Sequence, residues 1–178
     1  MEIILSLGSN LGDRLANLIQ AREALAHLPQ TRLVCSSRVY ATDPVNCADG
    51  SPEYLNAIVI LETTLDVRPF FNAMQAIETQ WGRTRSAERQ APRLIDIDLI
   101  CWGDRTIDEP DLQLPHPRAH LRRFVCEPLT DMRPTLILPG QSEDIRAILA
   151  GLPPDPTVRL ASEQWVSRHV TVPSPVIF

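Results

Sequence analysis

A chain of 178 residues with 17 basic and 22 acidic side chains, a net charge of −5 and 44% hydrophobic residues has the composition of one globular domain. No apolar run approaches the ~20 residues that span a bilayer, so transmembrane, collagen-like and wholly disordered readings are excluded, and a pI of about 5.3 argues against a broad nucleic-acid-binding face. All 17 basic residues are arginine, which excludes chemistry that needs a lysine: Schiff bases, a Ser-Lys dyad and the P-loop.

Ile3 to Leu7 reads as a buried strand that enters a turn at Gly8-Ser9-Asn10. Asp13 is placed to cap a helix carrying Leu15, Leu18, Ile19, Leu25 and Leu28 at helical spacing, which stops at Pro29. Leu33 to Tyr40 is rich in strand formers, and Ala41 to Pro52 is a long, broken loop. Tyr54 to Glu62 reads as a further strand. Asp66 then starts a helix with Val67, Phe70, Phe71, Met74, Ile77 and Trp81 on one stripe, closed by Gly82. An arginine-rich loop, 83–92, leads into a strand from Leu94 to Trp102.

After Pro110 prolines punctuate the chain. Leu121–Thr130 and Ser142–Leu149 read as short helices, with Leu136–Leu138 a candidate edge strand between them. The order strand, helix, strand, strand, helix, strand predicts an α+β fold resembling a ferredoxin-like core, a mixed or antiparallel sheet flanked by helices. One domain is expected over residues 1–152, followed by a loosely packed, proline-rich tail over 153–178. The N-terminus lacks a basic segment before its short apolar run, so no signal peptide is expected, and the four cysteines contain no C-x-x-C pair. These features predict a cytoplasmic protein with reduced thiols.

The segment Leu94-Ile95-Asp96-Ile97-Asp98-Leu99-Ile100 carries the most chemistry. The period of two in a strand sets Asp96 and Asp98 on one face, roughly 6.6 Å apart. Two carboxylates that close in apolar surroundings call for protonation or a cation. Oxygen ligands at such positions suit Mg²⁺, which shares its shell with water and substrate phosphates; the alternative is a pair of solvated carboxylates at a strand end. Arg83, Arg85, Arg89 and Arg93 lie immediately upstream. Guanidinium forks grip phosphate oxygens, although such a run alone is also what a solvated face looks like.

Glu78 falls on the apolar stripe of its helix, near the C-terminal end where the dipole disfavours negative charge, so it needs either an arginine or a ligand donor. Tyr54, Asn56 and Phe124 offer stacking and a two-way amide suited to a flat heterocycle, or are ordinary core residues. His116 and His120 are spaced H-x-x-x-H, but Pro115 and Pro117 oppose the continuous helix that a zinc pair would need. D-x-D strands also serve nucleotide-sugar glycosyltransferases, which need a larger nucleotide-binding domain, and the arginines would suit a non-catalytic ligand-binding module.

With these motifs in order, the sequence resembles the 6-hydroxymethyl-7,8-dihydropterin pyrophosphokinase family over about residues 1–150. The resemblance rests on Leu7-Gly8-Ser9-Asn10-Leu11-Gly12, Pro52-Glu53-Tyr54-Leu55-Asn56-Ala57, the signature Arg89-Gln90-Ala91-Pro92-Arg93-Leu94-Ile95-Asp96-Ile97-Asp98-Leu99-Ile100, then Leu114-Pro115-His116-Pro117 and Arg122-Arg123-Phe124. It implies pyrophosphoryl transfer from ATP to the pterin hydroxymethyl group, release of AMP, and a monomeric enzyme of folate synthesis without a nucleic-acid or membrane partner. Two Mg²⁺ ions would be held by Asp96 and Asp98. Arg83, Arg93 and Asp98 would be catalytic. ATP would be bound by Glu78, Arg85, Leu99, His116 and Arg122, and the pterin by Thr42, Val45, Tyr54, Asn56 and Phe124. Ser86 stands where relatives often carry a lysine, and Gln90 where an aromatic often closes the site.

Overall fold

A computed structural model describes residues 1–43, 52–81, 93–154, 157–162 and 165. Strand β1 (Glu2–Ser9) leads to helix α1 (Arg14–Ala26), β2 (Thr31–Ser36), β3 (Val39–Thr42), β4 (Tyr54–Thr63), α2 (Val67–Gln80) and β5 (Asp96–Trp102). A hairpin of β6 (Ile107–Glu109) and β7 (Leu112–Leu114) follows, then α3 (Arg123–Met132), α4 (Ile145–Gly151) and β8 (Val158–Ser162). The main sheet runs β5-β1-β4-β3-β8, with β2 also on β4. Every pairing in it is antiparallel, the order expected of a ferredoxin-like core.

The alternation of β1 explains the layers. Ile3, Leu5 and Leu7 point to one face, where they meet α1 and α2; Ile4 points to the other, where Ile58, Ile60 and Ile100 lie under α3 and α4. Beyond Ile4 that second face continues as Ser6 and Gly8, small residues that are themselves buried. A bulge sits on β5, since Ile4 faces Cys101 while Leu5 faces Leu99. The extra residue returns Trp102 to the α1/α2 side, where its ring meets Phe70 edge-on at 5.4 Å. Such a pair is worth roughly 0.5–1.5 kcal/mol beyond burial.

Caps match the sequence in part. The Asp13 carboxylate accepts from Ala16 N–H at 3.1 Å and starts α1, and Asp144 does the same for α4 through Ala147 at 2.8 Å. Asp66 occupies the N-cap of α2 without a side-chain bond.

Four expectations are corrected. The run 33–40 forms two strands, broken where the Ser37 hydroxyl accepts from Ile58 N–H and Ser37 N–H donates to Ile58 O, both at 2.9 Å. Leu136–Leu138 is no strand: the Leu136 carbonyl accepts from Ile145 N–H at the start of α4, and Leu138 is buried beneath α3 and α4. The predicted helix at 121 begins at Arg123, because Arg122 is extended (φ −112°, ψ 110°) after a short 3₁₀ turn, Ala119–Leu121. Residues 158–162, expected in a loose tail, form a sheet strand on β3.

Cys101 and Cys126 are buried free thiols. Burial, with a smaller contribution from Glu2, pushes Cys101 up to about 12, and burial pushes Cys126 up to about 11. Both thiols are therefore expected to resist iodoacetamide in the folded protein at pH 8 and to react fully in denaturant, as mass spectrometry of the alkylated peptides would read. Labelling of either at the rate of a free thiol in the native state would contradict this packing.

Candidate active site

The site lies on the open end of the α3/α4 face. Across three strands, Asn56 of β4, Gly8 of β1 and Asp96 of β5 stand opposite one another; one step along, Ile58, Ser6 and Asp98 do the same. Residues paired in this way share a face, so the sheet register brings the amide of Asn56 and both carboxylates to one surface. Gly8 is needed between them. A Cβ there would come within 3.1 Å of Asn56 Oδ1 and 3.9 Å of the Asp96 Cβ.

Each carboxylate meets an arginine. Arg93 Nη1 donates to Asp96 Oδ1 at 3.0 Å, and Arg122 Nη1 donates to Asp98 Oδ2 at 2.8 Å. All four side chains are between a fifth and a third exposed, so solvent and ligands reach them. Arg93 is held from behind by Asn10, which the sequence marks only as a turn residue. Arg93 N–H donates to Asn10 Oδ1 at 2.9 Å, and Asn10 N–H returns a bond to the Arg93 carbonyl at 3.3 Å. Asn10 is 1% exposed. A buried amide after a strand is the signal that could have revealed it, since such a group must be bonded to something.

Glu78 reaches the strand from the opposite layer. Its Oε1 accepts from the Ile97 N–H at 2.8 Å, midway between the two aspartates on the end strand of the sheet. This backbone donor is a contact that the sequence reading did not anticipate. Glu78→Ala would orphan that buried N–H and is expected to cost about 1–3 kcal/mol in urea unfolding. Glu78→Gln keeps an acceptor and should lose less; equal losses for the two variants would show that the bond to Ile97 is not what matters.

At the other end of the row, Asn56 Nδ2 donates to Thr42 Oγ1 at 2.8 Å, both residues being buried, with Tyr54 half-buried beside them in the register. Arg122 lies over the Phe124 ring, 5.4 Å from its centroid, at the start of α3. His116 N–H donates to the Ile100 carbonyl at 2.7 Å, and its Nδ1 accepts from Arg118 N–H at 3.1 Å. An accepting Nδ1 puts the ring proton on Nε2. Burial keeps this imidazole below the ordinary histidine range, against the opposing charge of Asp98, and so favours the neutral ring.

Asp96, Asp98, Arg93, Arg122, His116, Asn56, Thr42, Tyr54 and Phe124 therefore gather around this end of the sheet. Leu99 does not join them through its side chain, which is 4% exposed in the core under α1 and α2, the face opposite the aspartates. Arg83, Arg85 and Val45, with Ser86, Arg89 and Gln90, lie outside the described residues. Among the described residues no group of three or more His, Cys, Asp and Glu could hold a metal, and no helix is long and apolar enough to cross a membrane.

The family model for 7,8-dihydro-6-hydroxymethylpterin-pyrophosphokinase (HPPK) matches residues 4–134, which include most of β1, all of β4 and β5, and both aspartates. The chain belongs to the HPPK family. The 2-amino-4-hydroxy-6-hydroxymethyldihydropteridine pyrophosphokinase of Pseudomonas aeruginosa is 37% identical over 151 residues, 85% of this chain and 91% of that protein. The same enzyme of Methylorubrum extorquens is 38% identical over 150 residues, 84% and 92% of the two chains. Among solved structures, the wild-type HPPK-DHPS of Plasmodium falciparum with pteroate superposes with a TM-score of 0.65 at 14% identity. It covers 84% of this HPPK chain, which spans less than half (42%) of that longer one. At that identity the likeness establishes the fold.

Proposed function

We propose that the open end of the sheet is one two-part site for the family's reaction, the transfer of pyrophosphate from ATP to the hydroxymethyl oxygen of 6-hydroxymethyl-7,8-dihydropterin in folate biosynthesis. The observation that carries this reading is the row Asn56, Gly8, Asp96, which sets a heterocycle-binding amide two strands from a carboxylate pair. Release of AMP fixes the bonds involved. The hydroxymethyl oxygen bonds to the β-phosphorus, and the bond from that phosphorus to the oxygen bridging it to the α-phosphorus breaks. Transfers of this kind need positioning and charge neutralisation more than covalent help.

On the pterin side, Asn56 meets the ring edge with Thr42 fixing its amide, while Tyr54 and Phe124 supply the stacking faces. Hydrogen bonds to the edge set specificity, because a wrong ring would leave buried polar groups unpaired. On the nucleotide side, Arg93 and Arg122 hold charge on the transferring group and the Nε2–H of His116 is a donor for a phosphate oxygen. Arg83 and Arg85, which precede β5 in the sequence, would add to this. Glu78 acts from below by fixing β5 at Ile97.

The donor set fits Mg²⁺. Two partly exposed carboxylates on one face are hard oxygen ligands, and Mg²⁺ keeps several waters and completes its shell with phosphates rather than with an all-protein cage. A carboxylate accepts at about four lone-pair positions, so an arginine bond and coordination are compatible. Asp96 and Asp98 would hold two such ions, which when bound neutralise the phosphates and acidify the pterin hydroxyl. The chain is expected to work as a cytoplasmic monomer.

The test is to mix purified protein, Mg²⁺ and ATP with and without the dihydropterin and to resolve AMP from ADP. AMP formed only with pterin and metal is the expected result. ADP would mean simple kinase or ATPase chemistry, and no turnover by folded protein would favour a binding module.

A further inference from the structure

The region matched by the family model ends at residue 134, yet β8 at residues 158–162 reaches back to the pterin half of the site. It adds to β3 as the outermost strand, with Val158 opposite Thr42 and Arg159 opposite Ala41. The Arg159 guanidinium pairs with two carboxylates that flank different strands. It bonds Glu53, the residue entering β4 just before Tyr54, and lies 3.5 Å from Asp43, the residue leaving β3 just after Thr42. Glu53 is held from a second side, because Arg14 Nη1 donates to its backbone carbonyl at 2.6 Å. The end of β8 is anchored separately: the Trp165 indole N–H donates to the Ser37 carbonyl at 2.6 Å, with Arg22 over the ring at 4.8 Å.

We propose that Arg159 is a positioning residue for the pterin: by tying Asp43 to Glu53 it keeps the last pair of the β3–β4 ladder, Thr42 opposite Tyr54, from fraying. It does so without touching the substrate. The inference rests on the pterin lying between Thr42, Tyr54 and Asn56. Physical magnitudes separate this role from plain stabilisation. The Arg159 side chain is 50% exposed, and exposed ion pairs contribute little to global stability. A local effect on a binding edge is read instead in the affinity of that edge, where residues remote from a ligand change binding by about 3- to 10-fold.

The experiment compares wild type, Arg159→Ala, Arg159→Lys and Asn56→Ala in steady-state assays with each substrate varied in turn, alongside thermal melts. Arg159→Ala is expected to raise the KM for the pterin about 3- to 10-fold with kcat and the KM for ATP unchanged, and Arg159→Lys to restore most of it. The melting temperature should stay within a few degrees. High salt should narrow the gap between wild type and Arg159→Ala, since exposed pairs are screened. If Asn56→Ala raises the pterin KM and Arg159→Ala does not, the bracing role is wrong although the pterin is correctly placed. If neither variant changes it, the placement itself fails and takes this inference with it. A general loss in Arg159→Ala, with a lower melting temperature and both KM values altered, would reduce Arg159 to a structural residue and overturn the proposal.

Discussion

Asp98→Asn is expected to lower kcat on the order of 10³-fold while the protein stays folded. The substitution keeps the shape of the side chain and removes its charge. It therefore takes away a hard anionic ligand for Mg²⁺ and halves the negative charge that the face can offer to metal. That charge is not buried in the core: the carboxylate is 29% exposed, and Arg122, which bonds it, is itself reachable by water. Ile97 and Leu99, which flank it, keep β5 in place from the buried face. Turnover at saturating ATP and pterin, with circular dichroism and a urea midpoint on the same sample, is the measurement. A kcat within tenfold of wild type would remove Asp98 from the reaction.

Arg93→Ala is the second large effect, expected on the order of 10²- to 10³-fold in kcat. The structure separates the two functions of this residue. Its backbone is clamped in both directions by Asn10, and those bonds survive truncation to alanine. Only the guanidinium is lost, together with its bond to Asp96. The defect should fall on kcat more than on the KM for ATP, because charge on the group in transit grows as the transfer proceeds. Arg93→Lys should recover little, since an ammonium cannot reproduce the planar fork. A variant with full kcat and a raised KM for ATP would make Arg93 a tether for bound nucleotide instead.

Much of this site was legible because strand geometry is periodic. A period of two places Asp96 with Asp98 without any knowledge of the rest of the fold, and the helical spacing of Phe71, Met74 and Glu78 anticipates a carboxylate turned inward. Its bond to the Ile97 N–H was not legible, because the backbone donors of a strand leave no mark in the side-chain sequence. The same reason hid β8. Its residues are mostly exposed, so no alternation of apolar and polar side chains records it; backbone bonds to β3 define it. Leu136-Ile137-Leu138 misled in the opposite direction, since three β-compatible apolar residues meet the needs of a helix start and a small core. Asn10 and Arg159 were missed because each acts on a residue distant in sequence, a link that only the folded chain makes.

The row that joins Asn56, Gly8 and Asp96 also acts as a ruler. Neighbouring strands lie about 4.8 Å apart, so two steps separate Asn56 from Asp96 by roughly 9–10 Å, a length set by backbone hydrogen bonds. Side-chain substitutions can alter grip at either end without resetting that interval. A one-residue slip of β1 would turn the side to which Gly8 belongs and destroy the alignment at once. Loops around this end of the sheet are therefore free to diverge in sequence and length while the spacing between Asn56 and Asp96 stays constant.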